Sequence, residues 1–308
     1  MALFHLHTKV FKRSAGASAV AAAAYRAGEK LLDERAEEEH DYERRRGVEF
    51  TEIMTPAQAP EWARDRSQLW NQAEAAERRK DAQVAREVEV ALPAELDEQK
   101  RRELVRGFVH EHFTSQGMVA DVAHHSGEKP GREPNPHAHI MLTLRRFDGD
   151  RFAASKERAW NEHDLAQEWR KSWADRTNRA LELGGHQEQV DHRTLKAQRA
   201  DALKVGDHEA AAELDREPQV HLGKAYHMEL QGFRTARGIQ AIEIAKRNDA
   251  KATERELSRS REWQPERTVD KAQSVAERVV ADHDRPSGGG GGVRMPEDMD
   301  QEYDPFSR

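Results

Sequence analysis

The stretch NPHAHIML, at positions 135–142, carries the clearest sequence signal for both the fold and the chemistry of this chain. Its apolar, alternating character is typical of a β-strand, in which side chains at positions i and i+2 point to the same face. His137 and His139 therefore project together, while Ala138 and Ile140 pack behind them. The stretch predicts a strand that presents two imidazoles on one face.

Another pair of histidines, His124 and His125, ends a second predicted strand at residues 118–125. One imidazole from that neighbouring strand would complete a three-histidine metal site with open coordination positions. Neutral imidazole ligands leave the full positive charge of the metal available for a substrate oxyanion. An isolated His-x-His pair is also typical of an exposed strand, and the nearby His-His pair is what favours a metal site here.

Working outward from these strands, the chain alternates between strand-like and helix-like segments, which predicts an α/β or an α+β layer fold. The predicted strands are residues 3–7, 48–53, 85–92, 118–125 and 137–145. The predicted helices are residues 14–27, 60–79, 95–116 and 161–183. We expect a folded domain over residues 1–240, a polar helical extension over 241–286, and a Gly-rich linker with a disordered tail over 287–308.

Composition excludes several classes of protein. The 308 residues include 50 Lys+Arg and 57 Asp+Glu, a net charge of −7, which excludes a uniformly basic nucleic-acid binder but not a local basic cleft. The absence of cysteine excludes disulfide scaffolds, zinc–thiolate sites, iron–sulfur clusters and thiol nucleophiles. No apolar run approaches the ~18 residues of a membrane span, and the N-terminus lacks the apolar core of an export signal. We therefore expect a cytoplasmic protein.

Tyr25 is the one aromatic side chain in SAVAAAAYRAG, residues 18–28. The alanines make this segment too small-sided for a good core helix, so Tyr25 is a candidate nucleophile. The alternative, which is the commoner role of a helix tyrosine, is packing at a core edge. A free tyrosine has a pKa of about 10, and a metal or a nearby base would be needed to activate it.

Glu87 and Glu89 share one face of the predicted strand REVEVALP, residues 86–93. A carboxylate there is suited to hydrogen-bond a metal-bound histidine or to accept the proton of a nucleophile. An ordinary exposed strand face is the alternative.

Basic residues concentrate near the N-terminus, where residues 1–28 contain no acid. Such a segment is suited to bind phosphate groups. For the run of three arginines the alternative is a solvated charge cluster that balances the preceding acids. The candidate DNA-backbone contacts are Lys9, Lys12, Arg13, Arg26, Arg44, Arg45 and Arg46.

The order of these motifs resembles the MobA/MobL family of plasmid mobilisation relaxases, which are HUH endonucleases. The resemblance covers about residues 1–240. It is carried by SAGASA at 14–19, AYRAG at 24–28, REVEVALP at 86–93, NPHAHI at 135–140 and WRKSWADRTNRAL at 169–181. A charged insertion at 199–217 departs from the family pattern, and we expect an exposed helical hairpin there. Many relatives carry a helicase or primase after this domain.

The resemblance implies an α+β fold with a central antiparallel sheet flanked by helices. It implies strand-specific nicking at a plasmid origin of transfer, with a 5′-phosphotyrosyl intermediate that is later religated. By position, Tyr25 matches the nucleophile of the family. Glu87 matches the supporting carboxylate, and Glu89 is the next candidate for that role. The matching metal ligands are His125, His137 and His139, with His124 in a slot that is usually apolar.

The same resemblance implies Mg²⁺ or Mn²⁺ as cofactor, although three histidines also suit zinc or nickel by affinity. The implied partners are single-stranded origin DNA, relaxosome accessory proteins and a coupling protein, in the bacterial cytoplasm. Two other functions stay open at this point. One is a non-catalytic single-stranded nucleic-acid-binding module on the same fold, and the other is a metal-dependent hydrolase of a different phosphoester.

Overall fold

The structure, a computed structural model, describes residues 3–128, 134–162, 164–220, 228 and 231–263. The strands are β1 Leu6–Lys12, β2 Lys30–Asp33, β3 Glu38–Asp41, β4 Val48–Met54, β5 Gln83–Ala91, β6 Ala120–His125, β7 His137–Leu142, β8 Phe147–Asp148 and β9 Arg151–Phe152. The helices are α1 Ala19–Ala27, α2 Arg66–Ala75, α3 Glu98–His112, α4 Leu165–Leu183, α5 Leu195–Lys204, α6 His208–Glu213 and α7 Ala236–Trp263.

Five strands form one sheet in the order β1-β5-β7-β6-β4, and every pair of neighbours is antiparallel. Two short hairpins, β2–β3 and β8–β9, form separate two-stranded sheets. Antiparallel pairing decides between the two fold classes that the sequence left open. The predicted α+β fold with a central antiparallel sheet is confirmed.

Different helices pack on the two faces of the sheet. Successive side chains in a strand point to opposite sides, so each strand contributes to both cores. On one face, Val88 and Val90 of β5 belong to a core that includes Phe108 of α3 and Trp173 of α4. The other face carries Glu87, the residue before Val88, and there the core is built by α1 and α2. The catalytic candidates all lie on this second face or on the helix that covers it.

Helix α1 is buried along its whole length, which corrects the prediction that its alanines would make a poor core helix. Small side chains let the helix backbone approach the sheet closely, and the alanines pack against Ala85 and Met141. The helix begins later than predicted because the extended residue Ser18 caps it, accepting a hydrogen bond from the amide of Ala21. It ends at Gly28, whose φ of +66° favours glycine.

Other elements differ from the sequence expectation mainly at their ends. Between residues 29 and 55 the sequence predicts only the strand at 48–53, but the structure has the β2–β3 hairpin there as well as β4. The first strand continues to Lys12 rather than ending at residue 7. Helices α5 and α6 occupy the segment for which we expected a helical hairpin.

The described residues fall into two compact units that divide between His192 and Arg193. The domain boundaries at 240 and 286 stay predictions from composition. The linker and tail at 287–308 lie outside the described residues. Among the described residues, no helix combines the length and the apolar character that crossing a membrane requires.

Candidate active site

Three histidines from two neighbouring strands meet on the α1 face of the sheet. In the antiparallel register of β6 and β7, His125 lies opposite His137, and His139 follows two positions along the same face. One ring nitrogen from each histidine falls within 4.8 Å of the others. Such a cluster has the donor set and the spacing of a three-histidine metal site.

Each of the three rings is oriented by an oxygen that accepts a hydrogen bond. His137 Nδ1 lies 2.9 Å from the carbonyl oxygen of Asn135, and His139 Nδ1 lies 3.0 Å from Glu87 Oε1. His125 Nε2 lies 2.8 Å from the carbonyl oxygen of Arg26. Because these oxygens only accept, each ring donates from that nitrogen, and its other nitrogen is the one left to bind a metal ion.

The Asn135 carbonyl lies against Gly127, two residues beyond the end of β6. Gly127 has a φ of +63°, and a Cβ there would overlap the carbonyl group of Asn135. Only glycine therefore permits this close approach, and the orientation of the His137 ring depends on it.

Glu87 lies at the centre of a buried ion pair beneath the histidines. Both of its oxygens accept hydrogen bonds from the Arg26 guanidinium, the second from Nη2 at 2.9 Å. Burial alone raises the pKa of the Glu87 carboxyl, but Arg26 and His139 outweigh burial and hold that pKa well below its usual value. Glu87 is therefore an ionised acceptor for His139. Glu89 is farther away, 3.9 Å from His139 Nδ1, and is partly exposed.

The two adjacent histidines of β6 have different environments. His125 joins the triad, and burial, His139 and Arg45 lower its pKa to about 2, so the ring is neutral as metal binding requires. His124 points to the opposite face, where its ring packs edge-on against Phe50. Burial is the main reason that the pKa of His124 falls to about 4. His124 thus packs like the apolar residue whose slot it takes.

Arg45 connects Tyr25 to the triad. Its two terminal nitrogens lie 3.4 and 3.5 Å from the two ring nitrogens of His125. Since the nitrogens of an imidazole point away from each other, one guanidinium reaches both only by stacking on the ring face. The same guanidinium lies 4.0 Å from the centre of the Tyr25 ring and donates to the Tyr25 carbonyl. One guanidinium therefore contacts both the candidate nucleophile and a candidate metal ligand.

Tyr25 is buried near the C-terminal end of α1, and its ring meets that of Tyr42 edge-on at 5.2 Å. The next residue, Arg26, reaches the triad twice, through its carbonyl to His125 and through Glu87 to His139. The position of the tyrosine is thus tied to the positions of two of the three histidines.

The basic residues predicted to contact DNA divide into two groups. Arg26 is buried against Glu87, and Arg13 binds Glu74 and backbone carbonyls, so both guanidiniums already have partners within the protein. We therefore infer structural roles for both, because an N-terminal charge count does not distinguish paired from exposed side chains. Of the remaining five, Lys9 and Arg45 are half-buried and the exposed ones are Lys12, Arg44 and Arg46.

The sequence reasoning missed two features of the site. One is the Arg26–Glu87 pair, for which the only hint is the position of Arg26 beside Tyr25. The other is the stacking of Arg45 on both Tyr25 and His125, residues that are 20 and 80 positions away. No local pattern indicates a contact of that kind.

The residues present fit a bound divalent metal ion. The three imidazoles are oriented by hydrogen bonds, and the most buried one is neutral. The Glu87–His139 contact is the carboxylate–histidine pair that supports metal ligands in proteins. The donor set alone does not choose between magnesium, manganese and zinc.

Comparison with known proteins agrees with these features. The model of the MobA/MobL family matches residues 17–229. A conjugal transfer protein TraA from Rhizobium radiobacter is 32% identical over 291 residues, which are 84% of this chain and 25% of that protein. A mobilization protein MobL from Acidithiobacillus ferridurans is 34% identical over 255 residues, 73% of this chain and 63% of that protein.

A solved structure from work on the molecular basis of vancomycin resistance transfer in Staphylococcus aureus shares the fold. It is 33% identical, with a TM-score of 0.55, and the match covers 62% of this chain and 99% of that one. The present chain spans about a quarter of the length of the TraA protein and less than two thirds of MobL.

Proposed function

Because this chain belongs to the MobA/MobL family, we propose that it is a DNA relaxase that nicks one strand at a plasmid origin of transfer. It later religates that strand, and so serves conjugative mobilisation. The observation that carries the proposal is the single guanidinium, from Arg45, that contacts both Tyr25 and His125. A binding module has no need of a tyrosine held beside a metal site.

The reaction exchanges one phosphoester bond for another. The Tyr25 hydroxyl oxygen attacks the phosphorus and forms a new bond to it, and the bond from phosphorus to O3′ breaks. The phosphate therefore stays on the 5′ end of the cleaved strand and is joined there to Tyr25. The tyrosine proton leaves to solvent, and O3′ takes up a proton to become a hydroxyl group. Because the phosphotyrosine bond keeps the energy of the original bond, the same site religates the strand by the reverse step.

His125, His137 and His139 would hold the metal ion. When bound, Mg²⁺ or Mn²⁺ supplies positive charge that stabilises the non-bridging oxygens of the phosphate as negative charge develops. Glu87 keeps the His139 ring in one orientation, and Arg26 keeps Glu87 ionised and in place. Helix α1, fixed by its Ser18 cap and its tight packing on the sheet, positions Tyr25.

Single-stranded DNA reaches this site across exposed positive charge. Lys12, Arg44 and Arg46 are the exposed basic residues that we assign to backbone phosphates. Relaxosome accessory proteins and a coupling protein are the partners that such a function requires.

The direct test is the formation of a covalent protein–DNA adduct. The protein is incubated with Mn²⁺ and single-stranded oligonucleotides that tile the DNA flanking its own gene, and the products are separated on a denaturing gel. We expect a slowly migrating adduct that chelator and the Tyr25→Phe variant both abolish. The Tyr42→Phe variant, which alters the neighbouring ring, is the matched control and should still form it. DNA binding with no adduct on any oligonucleotide would instead favour the binding-module function.

A further inference from the structure

We propose that Arg45 is a catalytic residue of this site: its guanidinium binds the scissile phosphate and couples the binding of that phosphate to the binding of the metal ion. The inference rests on the proposed function, because it names the group of the same site that receives the substrate's reacting phosphate. It replaces the general assignment of Arg45 to the DNA backbone with one specific phosphate.

The first argument is position. The guanidinium stacks on the ring of His125 and lies 4.0 Å from the centre of the Tyr25 ring. Arg45 thus contacts both the residue that would attack the phosphorus and a residue that would hold the metal ion, which puts its guanidinium within reach of a phosphate bound between them. The adjacent arginines, Arg44 and Arg46, are exposed, whereas Arg45 is half-buried in the site.

The second argument is charge. Arginine stays protonated in proteins. The stacked guanidinium therefore places a positive charge against His125, which would hold a divalent metal ion. The three imidazole ligands are uncharged when they bind metal, and the buried carboxylate of Glu87 is already paired with Arg26. Like charges at this range repel, so Arg45 opposes metal binding until an anion lies between them.

The third argument is chemistry. A guanidinium presents a planar fork of donors that matches two phosphate oxygens, and it also stacks well on aromatic rings. A phosphodiester is the anion that the proposed reaction brings to this position. When it arrives it places a negative charge between the two positive centres and reduces their repulsion, so phosphate and metal each strengthen the binding of the other, as reciprocal coupling requires.

The test measures Mn²⁺ affinity by isothermal titration, in the presence and absence of a 20-nucleotide oligothymidylate. All proteins carry Tyr25→Phe, which prevents cleavage during the titration. Arg45→Met removes the charge and keeps the bulk over the ring, whereas Arg45→Lys keeps the charge without the planar fork. Arg44→Met makes the same change of net charge on an exposed neighbour and is the matched control.

We expect Arg45→Met to bind Mn²⁺ alone at least fivefold more tightly than its parent, and to lose the gain in affinity that the oligonucleotide gives the parent. Arg45→Lys should keep the weak binding of Mn²⁺ alone and part of that gain. Arg44→Met should match its parent within twofold in Mn²⁺ affinity without DNA. The proposal is overturned if Arg45→Met binds Mn²⁺ alone no more tightly than Arg44→Met does, or if Arg45→Met keeps the full gain in affinity that the oligonucleotide gives the parent.

The two proposals fail in different ways. An adduct formed by the unmodified chain together with unchanged coupling in Arg45→Met would overturn only the role of Arg45. Arg45-dependent coupling without any adduct would overturn the relaxase function and leave a metal-dependent phosphate site.

Discussion

Replacing Glu87 by glutamine tests the buried network beneath the histidines. Glutamine keeps the shape of the side chain but removes its charge, so the Arg26 guanidinium, only 4% exposed, loses its buried counterion. Removing one partner of a buried ion pair costs about 3–5 kcal/mol, because the remaining charge is left uncompensated. At about 2–4 °C per kcal/mol for a unit of this size, the melting temperature should fall by roughly 6–20 °C.

The same substitution should weaken metal binding by about 10–100-fold, since the carboxylate no longer supports the His139 ring. Glu89→Gln is the matched control. Its side chain is 35% exposed and its contacts with His5 and His139 are 3.7 and 3.9 Å long. Exposed pairs of that kind contribute up to about 1 kcal/mol.

Calorimetric melting and Mn²⁺ titration of both variants give the answer. Equal losses for Glu87→Gln and Glu89→Gln would refute the assignment of Glu87 to the network. The double variant Arg26→Gln/Glu87→Gln adds a check, because removing both charges should cost less than the sum of the two single changes.

Three further predictions follow from neighbouring residues. His125→Ala should abolish Mn²⁺ binding in titration, whereas His124→Ala should retain it; the reverse order would show that the other face of β6 holds the metal. The His124→Leu variant should lose less unfolding free energy in acid than the parent does, with chelator present to keep both proteins free of metal. The neutral buried ring has a pKa of about 4, and the unfolded ring takes a proton below about 6.5, so the parent loses up to about 3 kcal/mol as the pH falls from 6.5 to 4. Urea unfolding at pH 7 and 4.5 measures this loss, and equal losses in both proteins would contradict it. Ser18→Ala should cost about 1–3 kcal/mol, because α1 loses its cap and buried Asp33 loses its hydrogen bond; exposed Ser14→Ala is the control.

The arrangement of the histidines follows from strand periodicity, and this part of the site could be predicted. A strand places His137 and His139 on one face wherever it lies in the sheet. The choice between His124 and His125 needed more, because adjacent residues face opposite sides and only the pairing with β7 decides which one meets the triad. The family resemblance supplied that choice.

The contacts around the arginines could not be predicted, because they depend on how distant segments pack. Arg13 and Arg26 were counted as available charge, yet both are bound to buried carboxylates. Arg45 lies in a charged stretch that, by composition, is typical of a solvated loop. Its stacking on Tyr25 and His125 arises only when the segment before β4 folds against α1.

The burial of α1 was missed for a related reason. Hydrophobic patterning depends mainly on large apolar side chains. A nine-residue helix made mostly of alanine therefore gives little indication that it is buried. What buries this helix is close approach of its backbone to the sheet, with Ala85 of β5 and Met141 of β7 beneath it. Small residues on both surfaces make that approach possible.

The most direct test of the central claim is to identify the amino acid that becomes attached to DNA. The adduct formed on a cleaved oligonucleotide is digested with protease, and the peptide left on the 5′ end is sequenced by mass spectrometry. We predict a nucleotide on Tyr25, within the peptide that derives from α1. A nucleotide on Tyr42 or Tyr226, or full adduct yield from the Tyr25→Phe variant, would contradict the assignment of the nucleophile.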